Sequence, residues 1–446
     1  MAVIFRTYRK NIVLFFIAFA GMFYFCQMMN IRTFPGDAQE VWNLAKNYYI
    51  EGRSPSYVEY RGAFTFVFYH ALHFVCDIVG VDSIFGLQIL NSIIFAILTV
   101  VLFPYVFSIA LRKKIGWLST VVFAIIVFYF FRSYFLYPLT DFPSFTFLLA
   151  AIACIFWPKG GHVKVFICLL SAGILFSFSV MMRFSYVVAF PILLAMCYVT
   201  MKSNGITIVR GITLLSVVIS VSASLMMINA SSEDGNHGLL TRQLHGGMKF
   251  QKVEWNAGDS LYPGQMWFKE RRGEEILRTE GMLGGGHFSV LEYFKLFLKY
   301  PMDMVTINLK HLLGGLDVIY HSVYIFDMHE SRVIKSLLNY SLIFIAMVLI
   351  FLKWSDWWHD GKMMIFLVFA LGIQSLSAIP FIGEVRFFMP LILTFFAMAV
   401  FDFSSGLTIV KTNRLYFSWI AFVLMYFVIS SMFFDSTEKV VLLNIL

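Results

Sequence analysis

The sequence predicts an all-α polytopic membrane protein of about eleven transmembrane helices, with interfacial helices in two long outer loops. Three observations predict this class. Of 446 residues, 59% are hydrophobic and only 13% are charged, against about 25% charged in an ordinary soluble domain, so too little polar surface remains to cover a globule. The apolar residues come in runs of roughly 17 to 25, the length that crosses a hydrocarbon layer about 30 Å thick. The Lys and Arg residues sit at the ends of those runs, and mostly at alternate ends.

Taken in order, the spans are expected at 11–29, 84–110, 115–131, 142–157, 163–181, 185–201, 207–229, 336–352, 363–382, 387–403 and 415–434. The first follows Arg6, Arg9 and Lys10 and runs on past a signal-peptidase-like Ala18-Phe19-Ala20, which makes it an uncleaved first helix. With the N-terminus in the cytoplasm, fourteen Lys and Arg fall on the inner side, Arg112, Lys113 and Lys114 among them. The short outer turns hold three: Arg132, Arg183 and Arg386. This is the positive-inside bias.

Residues 30–83 and 230–335 form the two long outer segments. In the first, Val41, Leu44 and Tyr48 recur at helical spacing, predicting a short interfacial helix. The second has a polar, glycine-rich half and an amphipathic half over 288–328, read as helices on the outer surface. The chain thus divides into a membrane module at 1–229, a large loop at 230–335 and a second membrane module at 336–446.

The net charge of +8 reports orientation, and no nucleic-acid partner is expected. Five cysteines lie in or beside apolar runs without CxxC or metal spacing, so neither a disulfide framework nor a zinc site is expected.

Two acids stand at interface depth on the outer side. Asp37, in FPGDAQEVW, opens the predicted surface helix, and Asp141, in YPLTDFPS, opens the fourth span. Either could cap its helix. Beside one cavity, two carboxylates also suit general-base work on a hydroxyl. Arg183 and Arg386, with Arg132 as a third, stand at phosphate level, where a guanidinium holds a phosphate in a bidentate fork or simply snorkels. Glu384 is close enough in sequence to pair with Arg386. Glu40, His245, His287, Tyr262 and Trp267 could contact sugar hydroxyls and rings, although such residues in outer loops are more often packing groups.

These residues resemble the GT-C superfamily of multi-span glycosyltransferases that use polyprenyl-linked sugars. The resemblance rests on Asp37 in PGDAQEVWNLAKNYY, Asp141 in YPLTDFPSF, Arg183 and the late RFFMP segment. Bacterial serotype-converting glucosyltransferases, which decorate the O-antigen of lipopolysaccharide, look like the nearest group. It implies inverting transfer of a hexose, glucose favoured, from undecaprenyl phosphate to a lipid-linked glycan acceptor on the periplasmic face of the inner membrane. Asp37 would be the base, Asp141 would orient the acceptor or act with it, and the arginines would hold the leaving phosphate. No cofactor is expected to be required, and a divalent metal is not favoured. The chain departs from the pattern in having no DxD or ExD pair around either acid. An O-antigen polymerase or ligase would instead rely on Arg242, His245, Arg271 and Arg272, and a lipid or sugar transporter would need charged residues at span centres, which are nearly absent.

Overall fold

A computed structural model describes residues 2–34, 36–51, 63–157, 161–207, 236–255, 265–284, 288–317, 332–359, 362–405, 415–435 and 438–442, with scattered positions between 211 and 223 and at 408. The protein is predominantly helical. Six helical stretches are long and apolar enough to cross a membrane: Lys10–Met29, Ser83–Ala110, Trp117–Leu136, His162–Met182, Phe184–Ser203 and Val333–His359. Each coincides with an expected span. Asp141–Phe156, Lys362–Ser377, Val385–Phe401 and Tyr416–Met432 also coincide with expected spans but are shorter. The expected span at 207–229 lies largely outside the described residues.

The chain separates into two compact units. The first comprises Met1–Asp234 with Lys353–Leu371. It holds α1 (Ala2–Met29), α2 (Gly36–Glu51), α3 (Ala63–Val79), α4 (Ser83–Ala110), α5 (Trp117–Phe131), α6 (Asp141–Phe156), α7 (His162–Met182) and α8 (Phe190–Ser203). Lipid tails are as apolar as leucine, so burial alone drives little helix association here and close packing and hydrogen bonds carry it. Accordingly, α1 and α4 are tied by a Gln27–Gln88 bond and by Gln88 donating to the Cys26 carbonyl at 3.4 Å. Asn91 on α4 donates to the carbonyls of Phe135 and Tyr137 at 2.9 and 3.1 Å. Ser179 on α7 donates to the Ser144 carbonyl of α6 at 2.8 Å. Aromatic rings fill the spaces between, as where Phe135 meets Phe142 at 3.9 Å and Phe95 at 5.3 Å.

Within α4, residues Ile97–Leu102 form a π-helical turn in which the Phe103 amide donates back to the Leu98 carbonyl. Pro104 follows and has no amide to donate, which leaves the local helical ladder one bond short and favours the wider turn.

The helix α3 was not expected, since the sequence pattern gave residues 30–83 only one surface helix. Its position explains this. Thr65 donates to the carbonyl of Met182, the last residue of α7, at 3.4 Å, and Tyr69 donates to Leu139, just before α6, at 2.8 Å. Near its other end, Cys76 lies against Gly86 in the first turn of α4. All three contacts are with helix termini, so α3 runs across the ends of the bundle rather than through it. One apolar face, with Phe66 and Tyr69 buried, packs on those ends, while Val67, Phe74, Val75, Ile78 and Val79 are exposed.

The second unit comprises Gly235–Leu352 with Gly372–Leu446. Its helices are α9 (Asn236–Lys249), α10 (Arg271–Thr279), α11 (Val290–Lys299), α12 (Pro301–Leu316), α13 (Arg332–His359), α14 (Lys362–Ser377), α15 (Val385–Phe401) and α16 (Tyr416–Asp435), the last residues of α13 and the first of α14 clustering with the first unit. A three-stranded antiparallel sheet, β1 (Phe250–Trp255), β2 (Gln265–Lys269) and β3 (Glu438–Leu442), has β2 at its centre. This sheet is an addition to the all-α expectation.

Residues 236–307 build their own core from Leu244, Met248, Ile276, Leu277, Phe288, Tyr293, Leu296, Met304 and Ile307. Ser289 starts α11 by accepting the Glu292 amide at 3.2 Å, a side-chain cap for an otherwise orphaned donor. Ion pairs ring this core, Arg272 with Asp303 at 3.0 Å and Lys299 with Glu280 at 2.8 Å. The Arg272 guanidinium holds Asp303 below the ordinary carboxylate range, and the bond from Lys299 does the same for Glu280.

Candidate functional site

In the first unit, Asp141 is the first residue of α6 and Arg183 is the residue that ends α7. Thr140 precedes Asp141 at the cap position without a side-chain cap bond, and Ser144 turns back to the Thr140 carbonyl at 2.6 Å. Arg183 is extended, at φ −149° and ψ 103°, so the helix stops there, its amide still donating to the Ser179 carbonyl at 3.0 Å. The two side chains form an ion pair, with Asp141 2% exposed and Arg183 19% exposed. The sequence reading gave Asp141 to the acceptor and Arg183 to a phosphate. The structure brings them into direct contact.

Asp37 lies in the first turn of α2 and is half-buried, as is Glu40 one turn later. The entry to that helix is anchored by aromatic rings. Phe34 packs edge-on against Trp42 at 5.5 Å and against Tyr137 at 6.3 Å, and Trp42 lies over His73 of α3 at 4.2 Å. The segment leading into Asp37 therefore touches the segment leading into Asp141. Buried His73, Tyr69 and Trp42 frame this end, and sequence reasoning missed the first two because it did not recognise α3. Arg132 stands elsewhere, with its guanidinium 5.2 Å from the ring centre of Phe25 and 5.4 Å from that of Phe128.

In the second unit, Arg386 pairs with Glu384 at 2.5 Å and lies over the Phe387 ring at 5.1 Å, the pairing that their spacing suggested. Glu384 closes a turn, residues 378–384, that is held on several sides, and Arg386 follows it in the first turn of α15. Gly383 donates to the Gln251 carbonyl at 3.0 Å, and His311 Nδ1 donates to the Ile379 carbonyl at 2.9 Å. A Cβ at Gly247 would run into the Pro380 backbone, and one at Gly383 would come within 2.7 Å of the His311 carbonyl. His311 is almost wholly enclosed, and burial pushes its pKa down to about 4. Sequence reasoning had no signal for this role, which depends on segments far apart in the chain.

His245 bonds to the Met282 carbonyl at 3.1 Å and packs on Phe288 at 5.3 Å, with burial lowering its pKa. Those contacts suit loop packing. Trp267 occupies β2, paired between Val253 and Val440. Tyr262 and His287 lie outside the described residues. A further polar group, unnoticed in the sequence, surrounds buried Asp317: Ser430 donates to its carboxylate, and Asn339 donates to the neighbouring Leu316 carbonyl at 2.9 Å. Among the described residues no three His, Cys, Asp or Glu side chains gather as a metal group would require.

Fold and site together define a helical protein with membrane-length apolar helices, surface helices across the ends of one bundle, and an acid–arginine pair at those ends. Compared with protein-family models, with curated proteins and with solved structures, the chain has no match in any of the three.

Proposed function

We propose that this protein is an inverting glycosyltransferase of the bacterial inner membrane, moving a hexose from undecaprenyl phosphate to a glycan acceptor on the periplasmic side. The observation that carries the reading is the clustering at one end of the first bundle. A half-buried acid on a surface helix, Asp37, is joined through the Phe34–Tyr137 contact to the segment bearing the buried Asp141–Arg183 pair. The GT-C resemblance of the same segments supports it.

In this scheme Asp37 takes the proton from an acceptor hydroxyl. That oxygen attacks the anomeric carbon of the donor from the face opposite the phosphate, the carbon–oxygen bond to phosphate breaks, and undecaprenyl phosphate leaves with the electron pair. Asp141 serves as a positioning residue for Arg183, the guanidinium assigned to the leaving phosphate. Positioning and fixed charge supply most of the rate.

The test is glucose transfer to lipopolysaccharide, followed by mass shift, in membranes supplied with undecaprenyl-phosphate glucose. Wild type transfers, and Asp37→Asn, expressed to the same level, loses at least about a hundredfold. Equal transfer by both proteins would remove Asp37 as the base.

A further inference from the structure

Helices α11 and α12 carry the same pattern, offset by eleven residues. One side of each packs on the core of residues 236–307, through Tyr293 and Leu296 on α11 and Met304 and Ile307 on α12. The other side is exposed and apolar, with Leu291, Phe294 and Leu298 on α11 and Met302, Val305 and Leu309 on α12. Leu298 is 82% exposed and Met302 78%. A helix lying between a protein core and water turns polar residues outward, so large apolar groups on that side mark a face that something covers.

Two features say what covers it. The first is where the face leads. The last turn of α12 is lodged among apolar helices, with Gly315 against the Phe388 ring of α15 and Tyr426 of α16 donating to the Leu313 carbonyl at 3.5 Å. Asn339 of α13 donates to the Leu316 carbonyl at 2.9 Å, and Val333 and Ile334, in the first turn of that membrane-length helix, are exposed. The face of α12 therefore leads to the level at which α13 begins. The second feature is charge. Residues 270–310 carry six Lys and Arg against six Asp and Glu. Ion pairs within the protein join Arg278 to Glu274 at 3.2 Å, Lys295 to Glu292 at 2.6 Å and Lys310 to Glu270 at 2.8 Å, besides those of Arg272 and Lys299 described above. A surface with no net charge has little to draw an acidic polymer or an anionic headgroup, which leaves the apolar face as the source of attraction.

We propose that the exposed faces of α11 and α12 rest in the adjoining leaflet of the bilayer that the long helices cross, at the boundary of headgroups and acyl chains. An in-plane helix sinks its apolar face about 5–10 Å into that boundary, which buries Phe294, Leu298 and Met302 while Lys295 and Lys299 keep their charged ends in water. The amphipathic pattern placed these helices at the surface; the exposures assign the inserted face, and the ion pairs make the attachment indifferent to headgroup charge. It fastens the core of residues 236–307 to the membrane, and it stands whether or not the chain transfers sugars.

Nitroxide labels on introduced cysteines test it, in the full-length protein reconstituted into phosphatidylcholine vesicles with and without phosphatidylglycerol; label taken up by wild type sets the background. Collisions with oxygen, which concentrates in lipid, are compared with collisions with a water-soluble nickel chelate. Leu298→Cys and Met302→Cys should lose the chelate and keep oxygen, and because both side chains are exposed the labels cost the fold no packing. Lys295→Cys and Arg278→Cys should collide more with the chelate. The pattern should be the same in both vesicles and at about 1 M salt, where the Debye length is roughly 3 Å. Chelate that reaches Leu298→Cys as freely as Lys295→Cys overturns the proposal, as does lipid protection that needs phosphatidylglycerol or is lost in salt. Dipolar broadening between Leu298→Cys labels on two chains overturns it too, and gives the face to a second copy of the protein.

Discussion

Asp141 and Arg183 come from opposite ends of the hairpin formed by α6 and α7, and each is the other's compensation at a nearly closed site. Removing one member of a buried pair leaves a charge with neither water nor partner, which costs about 3–5 kcal/mol, whereas replacing both by apolar groups is often neutral. Arg183→Met should therefore lower thermal stability in detergent strongly, and Asp141→Leu combined with Arg183→Met should recover most of the loss. Under the proposed mechanism the double variant remains inactive despite its recovered stability. A wild-type melting curve for Arg183→Met alone would end the argument that the pair matters to the fold. At this scale the sequence was partly legible. Glu384 and Arg386 are close enough in the chain for their pairing to be foreseen, while Asp141 and Arg183 could be placed at one interface but not matched, because the match depends on the turn that ends α7.

Among the elements, the turn at 378–384 is the part whose support can be titrated. His311 is neutral in the fold because burial outweighs its bonds to backbone carbonyls, taking it from 6.5 to about 4. The unfolded chain protonates this ring below about pH 6.5 and the folded protein only near pH 4, so over that window the unfolded state holds more protons. Stability is complete above the window and falls as pH drops through it, by on the order of 3 kcal/mol. Thermal melts between pH 4 and 7 should show this slope in wild type. His311→Asn, which keeps a donor but does not titrate, should be flatter, and equal slopes would show that His311 is not the group responsible. Period and hydropathy revealed most long helices to within a few residues. They did not reveal the π turn in α4, which depends on one proline, nor the sheet, whose β2 pairs with β3 at the far end of the chain.

For the whole molecule, the charge bias predicts which side each connection faces. Alkaline phosphatase fused after Gly205 should be inactive, after Gly284 active and after His359 inactive. The first two junctions bracket residues 207–229, so equal activity at both would remove a crossing there. The opposite pattern at all three would reverse the orientation and with it the periplasmic placement of Asp37. Composition pointed to a membrane protein, and six helical stretches are long and apolar enough to cross a membrane. It could not show that α3 covers the ends of a bundle, because an apolar helix on a protein surface and an apolar helix in lipid have the same composition.

That arrangement also sets an order of events during synthesis. The acceptors for Tyr69 and Thr65 lie 70 and 117 residues further along the chain, so when α3 leaves the ribosome neither exists. At about 5–20 residues per second, the Met182 carbonyl follows Thr65 by roughly 6–23 s. Through that interval an apolar helix bearing His70, His73 and Asp77 must wait at the membrane surface, where such a helix can rest with its polar groups in water. The bundle is closed from above only after α7 has been made, and the first unit acquires its covered end late, from a piece that was synthesised early.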